Sequence, residues 1–143
     1  MAAYVRLLGS PAARTPDGWT PLSSGKAAGI LCYLAYRQAW VRRSDLLSLL
    51  WPEHSEEAAR RNLRPILTRV RRLPVVERID TDGDLLRWTV KTDVQAFHGA
   101  LAAGRPERAL ALYGGPLLSG LDVAEAPAFE DWITVARSEL ASA

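Results

Sequence analysis

Between positions 60 and 72 the chain carries six arginines, Arg60, Arg61, Arg64, Arg69, Arg71 and Arg72, and no acidic residue. Clustered guanidiniums present rigid forks of N–H donors that match phosphate and carboxylate oxygens, so the chemistry on offer is the binding of a polyanion. A helix that merely faces water usually mixes both signs three or four residues apart for mutual support. From Arg60 onward this run forgoes that support.

The residues between the arginines say how they are displayed. Ala59, Leu63, Ile66, Leu67, Val70 and Leu73 recur at helical spacing and make a stripe that must be buried. At about 100° per residue, Arg61, Pro65, Thr68 and Arg72 lie opposite the stripe. Arg64 falls at the edge of that face, and Arg60, Asn62, Arg69 and Arg71 fall on its flanks. Ser55 is an N-cap, Glu56 and Glu57 put negative charge in the first turn, and arginines fill the last, which predicts a helix over 55–73. Pro65 lies inside it, where a proline deletes one backbone bond and strikes the preceding turn at a cost of roughly 3 kcal/mol. A kink or an irregular helix start is expected.

Other chemistry finds little support. Gly25-Lys26 looks like the end of a phosphate-binding loop, but Thr20 stands where the first glycine belongs and Ala27 where the hydroxyl belongs. Lys26 reads instead as a first-turn residue whose ammonium reaches a DNA phosphate or water. His54 and His98 have no carboxylate or cysteine at ligand spacing, no serine occupies a nucleophile elbow, and no carboxylate pair lies in an apolar setting. The expectation is a protein without catalysis, metal or cofactor. Stacking of unpaired bases needs exposed rings among the cations, yet 55–73 contains none, and Trp40, Trp51 and Trp88 fall on buried faces or at element ends. Double-stranded DNA is therefore the favoured polyanion. The alternative is a protein-interaction module whose basic helix docks an acidic protein partner without touching DNA.

Composition, with 48% hydrophobic and 24% charged residues in 143, is that of an ordinary globular chain. The net charge of +2 conceals an asymmetry: 15 Lys and Arg against 9 Asp and Glu in residues 1–92, but 3 against 7 in residues 93–143. The two parts meet different partners, or each other. The single cysteine, Cys32, falls in an apolar helical pattern and reads as a buried thiol. The longest apolar run, 27–36, is about half of what a bilayer span requires, and Arg6 interrupts the start too early for a signal peptide. A cytoplasmic protein with no membrane contact is expected.

The elements that must position the arginines follow from the pattern. Tyr4 to Leu8 and Trp19 to Leu22 read as strands of a small antiparallel sheet, with Asp17-Gly18 as a turn. Ser24 caps a helix through Tyr36 or Arg37 that buries Ala27, Ile30, Leu31, Leu34 and Ala35. Trp40 and Val41 are a short extended link, and Leu46, Leu47 and Leu50 give a two-turn helix that must stop before Pro52. After the arginine helix, Val75 to Ile79 and Leu85 to Val90 flank Asp82-Gly83 as a hairpin, with Leu86, Trp88 and Val90 inward and Arg87 and Thr89 outward. Sheet, three helices and hairpin make an α+β winged helix over 1–92, in which the last helix enters the major groove with the hairpin beside it.

Specific strings carry a family likeness as well. LLG near the N-terminus, SGKAAGILCYLAY, DLLSLLWPEHSEEAARRNLRPILTRVRRL, and ALALYGGPLLSGLD with FEDWI together resemble the SARP type of bacterial transcriptional regulator, across nearly the whole chain. In that family a winged helix precedes a helical, tetratricopeptide-like bacterial transcriptional activator domain. The resemblance implies a sequence-specific DNA-binding regulator, an activator, that reads the major groove with 55–73, binds as a pair to directly repeated promoter sites, and recruits RNA polymerase. It also implies that Pro52, Glu53 and His54, on the loop before the arginine helix, meet the polymerase.

On this reading Arg61, Arg64, Pro65, Thr68 and Arg72 face the groove, and Arg60, Arg69, Arg71, Lys26 and Arg87 are candidates for phosphate contacts. Three departures from the family stand out. Arg42 replaces the usual hydroxyl cap of the second helix, so that helix is expected to start differently, at Ser44 for example. Pro65 replaces a helix former. Residues 93–143 supply helical patterns at Asp93 to Ala103, Arg105 to Tyr113 and Pro127 to Leu140, only a first third of the activator domain. The apolar stripe of Phe129, Trp132, Ile133 and Leu140 must then fold back on 1–92 or pair with another chain, so self-association is one expectation.

Overall fold

A computed structural model of the protein describes residues 3–22 and 24–142. Three short strands open the chain as a meander: β1 (Tyr4–Arg6), β2 (Ala12–Thr15) and β3 (Gly18–Pro21). The Asp17-Gly18 turn joins β2 to β3, so the partner of Trp19 is Arg14 and the strand at Tyr4 lies one place further in. One strand that the sequence pattern does not predict is Ala-Ala-Arg-Thr, which holds one β-branched residue and no aromatic one.

Helix α1 (Gly25–Arg37) forms where expected, with Ser24 at the N-cap position but no side-chain bond there. It ends at Gln38, held in the left-handed region at φ 48°. Three side-chain bonds help fix this residue: its amide donates to the carbonyls of Ala35 (2.8 Å) and Trp88 (3.3 Å), and accepts from Val90 N–H (3.4 Å).

Next come β4 (Val41–Arg42), α2 (Arg43–Leu50) and α3 (Glu56–Arg71). The start of α2 corrects one expectation: the helix begins at Arg43, with Arg42 as its cap residue and no hydroxyl involved. The first N–H of α2 finds its acceptor elsewhere, on the main-chain carbonyl of Asp84 at 2.9 Å. Asp84 belongs to the turn between β5 (Asp80–Asp82) and β6 (Leu85–Arg87). β4 pairs with β6, so the link at Val41 is the third strand of this sheet, in the order β4-β6-β5. Val75 to Ile79 is not a strand. A turn bond from Val76 N–H to Leu73 O (2.9 Å) follows α3 directly, and Val75, Val76 and Ile79 are buried individually as plugs.

The chain then returns to its beginning. β7 (Lys91–Thr92) pairs with β1 in parallel, giving a sheet in the order β3-β2-β1-β7, and α4 (Asp93–Ala102) starts at once. Thr92 and Gln95 form a reciprocal capping box on α4. The Asp93 carboxylate, 4% exposed, accepts from the N–H groups of Leu7 (2.7 Å) and Leu8 (2.9 Å) just past β1. Burial pushes this carboxyl above the ordinary aspartate range, against the pull of the two N–H donors. After α5 (Pro106–Leu112), the segment 114–119 lies along the same stretch: Leu118 N–H donates to Leu7 O (2.8 Å) and Gly9 N–H to Pro116 O (3.1 Å). Gly114 is required there, since an added Cβ would stand 2.9 Å from Leu8 O.

Helix α6 (Pro127–Ala141) covers the back of the three-helix unit. Phe129, Ile133, Ala136 and Leu140 are buried on it, and Trp132 meets Tyr33 and Tyr36 of α1 edge-on at 4.8 and 5.5 Å. The stripe expected to fold back does so. One continuous core runs from Val5 through α1, α2 and α3 to Leu140. Among the described residues, no helix is long and apolar enough to cross a membrane.

Candidate nucleic-acid interface

The arginine helix is organised as its pattern predicts. Ser55 Oγ accepts from Ala58 N–H at 3.2 Å, so the start is a regular capped one. Ala59, Leu63, Leu67 and Val70 are buried, and Ile66 and Leu73 are half-buried at the edge of the stripe. The helix does not break at Pro65 but continues through it to Arg71, with Arg72 as C-cap. Pro65 itself is exposed. Just beyond it, Thr68 Oγ1 donates to Arg64 O at 3.1 Å, which leaves the hydroxyl oxygen free to accept from outside.

Arg61, Arg64, Arg69, Arg71 and Arg72 are all exposed, and among the described residues none of them forms an ion pair or a side-chain hydrogen bond. The other basic residues singled out by the sequence are engaged. Arg60 bonds Glu56 one turn back (3.1 Å) and Asp84 at the hairpin turn (3.3 Å). So the helix does use one pair four residues apart, at its N-terminal end. Arg87 is tied to Asp80 (3.1 Å) and lies over the Trp40 ring at 4.3 Å. The guanidiniums of Arg78 and Arg87 hold the Asp80 carboxyl below the usual carboxylate range. Arg87 therefore stiffens the hairpin rather than projecting from it. Lys26 donates to Ala124 O (2.8 Å) and stands 5.8 Å from the Trp51 ring, fastening the start of α1 to the loop before α6.

Two residues that sequence reasoning passed over stand beside α3. Arg43 donates to Gly83 O (2.7 Å) and lies 4.0 Å from the Asp84 carboxylate, so the hairpin turn is stitched to both α2 and α3. Arg43 and Asp84 are 41 positions apart, and only the pairing of β4 with β6 brings them together. Pro52, Glu53 and His54 are exposed on the α2–α3 turn, which is closed by His54 N–H to Trp51 O at 3.2 Å. His54 and His98 are not brought together with acids or with Cys32 into a metal site: among the described residues no group of three or more His, Cys, Asp or Glu is placed to hold an ion. Burial pushes the Cys32 thiol up to about 12.

No protein-family model matches the chain, and no curated protein matches it. The fold is similar to that of EmbR from Mycobacterium tuberculosis, in a structure of that protein with a low-affinity phosphopeptide. The TM-score is 0.67 at 20% sequence identity, over 97% of this chain and 42% of that one. At this identity the likeness is one of fold, and the chain spans less than half the length of the EmbR chain.

Proposed function

We propose that the chain is a transcriptional regulator of SARP-like type that binds double-stranded DNA without catalysis, and that α3 is its reading helix. On this proposal residues 1–92 are a winged helix, with β5 and β6 as the wing, and 93–143 are a short helical, tetratricopeptide-like segment docked on its back. The observation that carries the reading is the set of five exposed arginines on α3 and its C-cap that have no partner among the described residues, while Arg43, Arg60, Arg78 and Arg87 nearby are engaged. Unpaired guanidiniums crowded on one helix repel one another, and a phosphate backbone relieves that repulsion. The fold shared with EmbR supports the architecture. Arg61, Arg64, Thr68 and Arg72 are assigned to base edges and groove floor, Pro65 to the shape of that face, and Arg69 and Arg71 to phosphates. Pro52, Glu53 and His54 are left free for RNA polymerase.

The test is binding of single alanine variants to a duplex selected from a random pool and to its scrambled counterpart, each at several salt concentrations. Removing a base-reading arginine should cost about 1–3 kcal/mol on the selected site and much less on the scrambled one. Removing a phosphate-binding arginine should weaken both alike and reduce the salt slope by roughly one unit. If the intact protein binds neither duplex at low salt, the proposal is wrong and an acidic protein partner is the better reading for the helix.

A further inference from the structure

A cleft of about 440 Å³ separates α3 from the hairpin turn. Arg60, Arg64 and Arg71 line it from α3, Arg43 from α2, and Asp84 from the turn. Its floor is apolar, formed by Leu63 and Leu67. Four guanidiniums thus converge on one space with a single carboxylate opposing them. Resting on the reading of α3 as a duplex-binding helix, we infer that this cleft seats a backbone phosphodiester, with Arg43 as a direct ligand and Asp84 as a built-in competitor that limits affinity.

The division of labour within Asp84 carries the inference. Its main chain holds the turn in place, because its carbonyl accepts the first N–H of α2 at 2.9 Å and Gly83 O beside it accepts from Arg43 at 2.7 Å. The carboxylate is not needed for that. Among the described residues it bonds Arg60 at 3.3 Å and lies 4.0 Å from Arg43, in pairs where the Asp84 side chain is half exposed. Solvent-exposed ion pairs of this kind contribute little and are readily exchanged. A phosphate entering beside Arg71 offers Arg60 and Arg43 a better anion, with oxygens that suit the guanidinium fork. The apolar floor matches the sugar edge, leaving the charge to the rim.

The expected effect of removing the carboxylate has an unusual sign. Asp84→Asn takes one negative charge from the lining while keeping the main-chain bonds of the turn. Affinity for a duplex of random sequence should rise roughly three- to tenfold at low salt, from the relief of repulsion between two unit charges across the cleft. The salt slope should steepen by about one unit as Arg60 is released to the backbone. The gain should be equal on selected and scrambled duplexes, and it should shrink when Arg60→Gln is already present. Arg43→Gln should weaken both duplexes and flatten the slope by about one unit. An Asp84→Asn protein that melts like the parent but binds no more tightly overturns the seat. If that variant melts lower, Arg43→Gln alone decides: an unchanged salt slope overturns it. Arg61→Ala, outside the cleft, separates the two proposals. Duplex binding that depends on Arg61 but ignores Asp84 and Arg43 refutes this inference alone, whereas no duplex binding by the parent refutes the proposed function itself.

Discussion

Replacing Asp93 by alanine should be among the most damaging single changes in this protein. Its carboxylate is the acceptor for two main-chain N–H groups, those of Leu7 at 2.7 Å and Leu8 at 2.9 Å, and both residues are at most 1% exposed. Alanine leaves both donors without a partner and beyond reach of water, at about 1–3 kcal/mol each, so the loss should be roughly 2–6 kcal/mol. For a domain of this size that is a fall in melting temperature on the order of 6–20 °C. Asparagine retains one acceptor oxygen and carries no charge to desolvate, so its loss should be smaller. The pH dependence has a definite sign. The folded carboxyl titrates above its unfolded value because burial outweighs the N–H donors. Across that window the folded state binds more protons than the unfolded one, so this group's contribution declines as pH rises from the ordinary aspartate range through the raised folded value. Thermal melts of the parent, Asn and Ala proteins across acidic to neutral pH measure both effects. An Ala variant within about 0.5 kcal/mol of the parent would refute the assignment, since ordinary surface changes reach no further than that.

Other perturbations have equally definite outcomes. Pro65→Gln should raise the melting temperature, because an exposed interior proline costs its helix up to about 3 kcal/mol, and duplex selection should report whether the preferred site moves with it. Phe129→Ala should cost about 3–5 kcal/mol in denaturant unfolding, as the ring is 1% exposed against α1. Truncation after Thr92 should lower stability more than Phe129→Ala, since it strips all of α4, α5 and α6 from one core; a truncated protein as stable as the parent would show the two parts to be independent. Cys32, fully buried with its thiol pushed up to about 12, should react with a thiol reagent only as fast as the protein unfolds.

What the sequence made legible was what repeats locally. The stripe through Leu63, Leu67 and Val70 and the cap at Ser55 located α3 within two residues, and the stripe through Phe129 and Ile133 located α6. Strand β2 escaped because its Ala-Ala-Arg-Thr composition carries no pattern, and its place is set by neighbours on both sides. The run Val75 to Ile79 has the composition of a strand, yet its side chains are anchored one by one after a turn, and burial satisfies an apolar residue in either form. For the candidate interface, residue type revealed which arginines lie on α3 but not which of them already have partners. That Arg60 and Arg43 share Asp84, and that Arg87 is held by Asp80, depends on the register of β4, β5 and β6, which no local pattern contains.

The closure of the chain on its own beginning bears on how the protein is made. The main chain just after β1 has no complete set of partners until Asp93 bonds Leu7 and Leu8, and until Leu118 N–H reaches Leu7 O. During synthesis on a ribosome adding about 5–20 residues per second, the 111 positions between Leu7 and Leu118 correspond to roughly 5–20 s. Over the later part of that interval, once Arg71 has been added, the helices α1, α2 and α3 are able to form from local contacts, while the face later covered by Phe129 and Trp132 stays open. A nascent chain thus displays its arginine helix before its core is sealed.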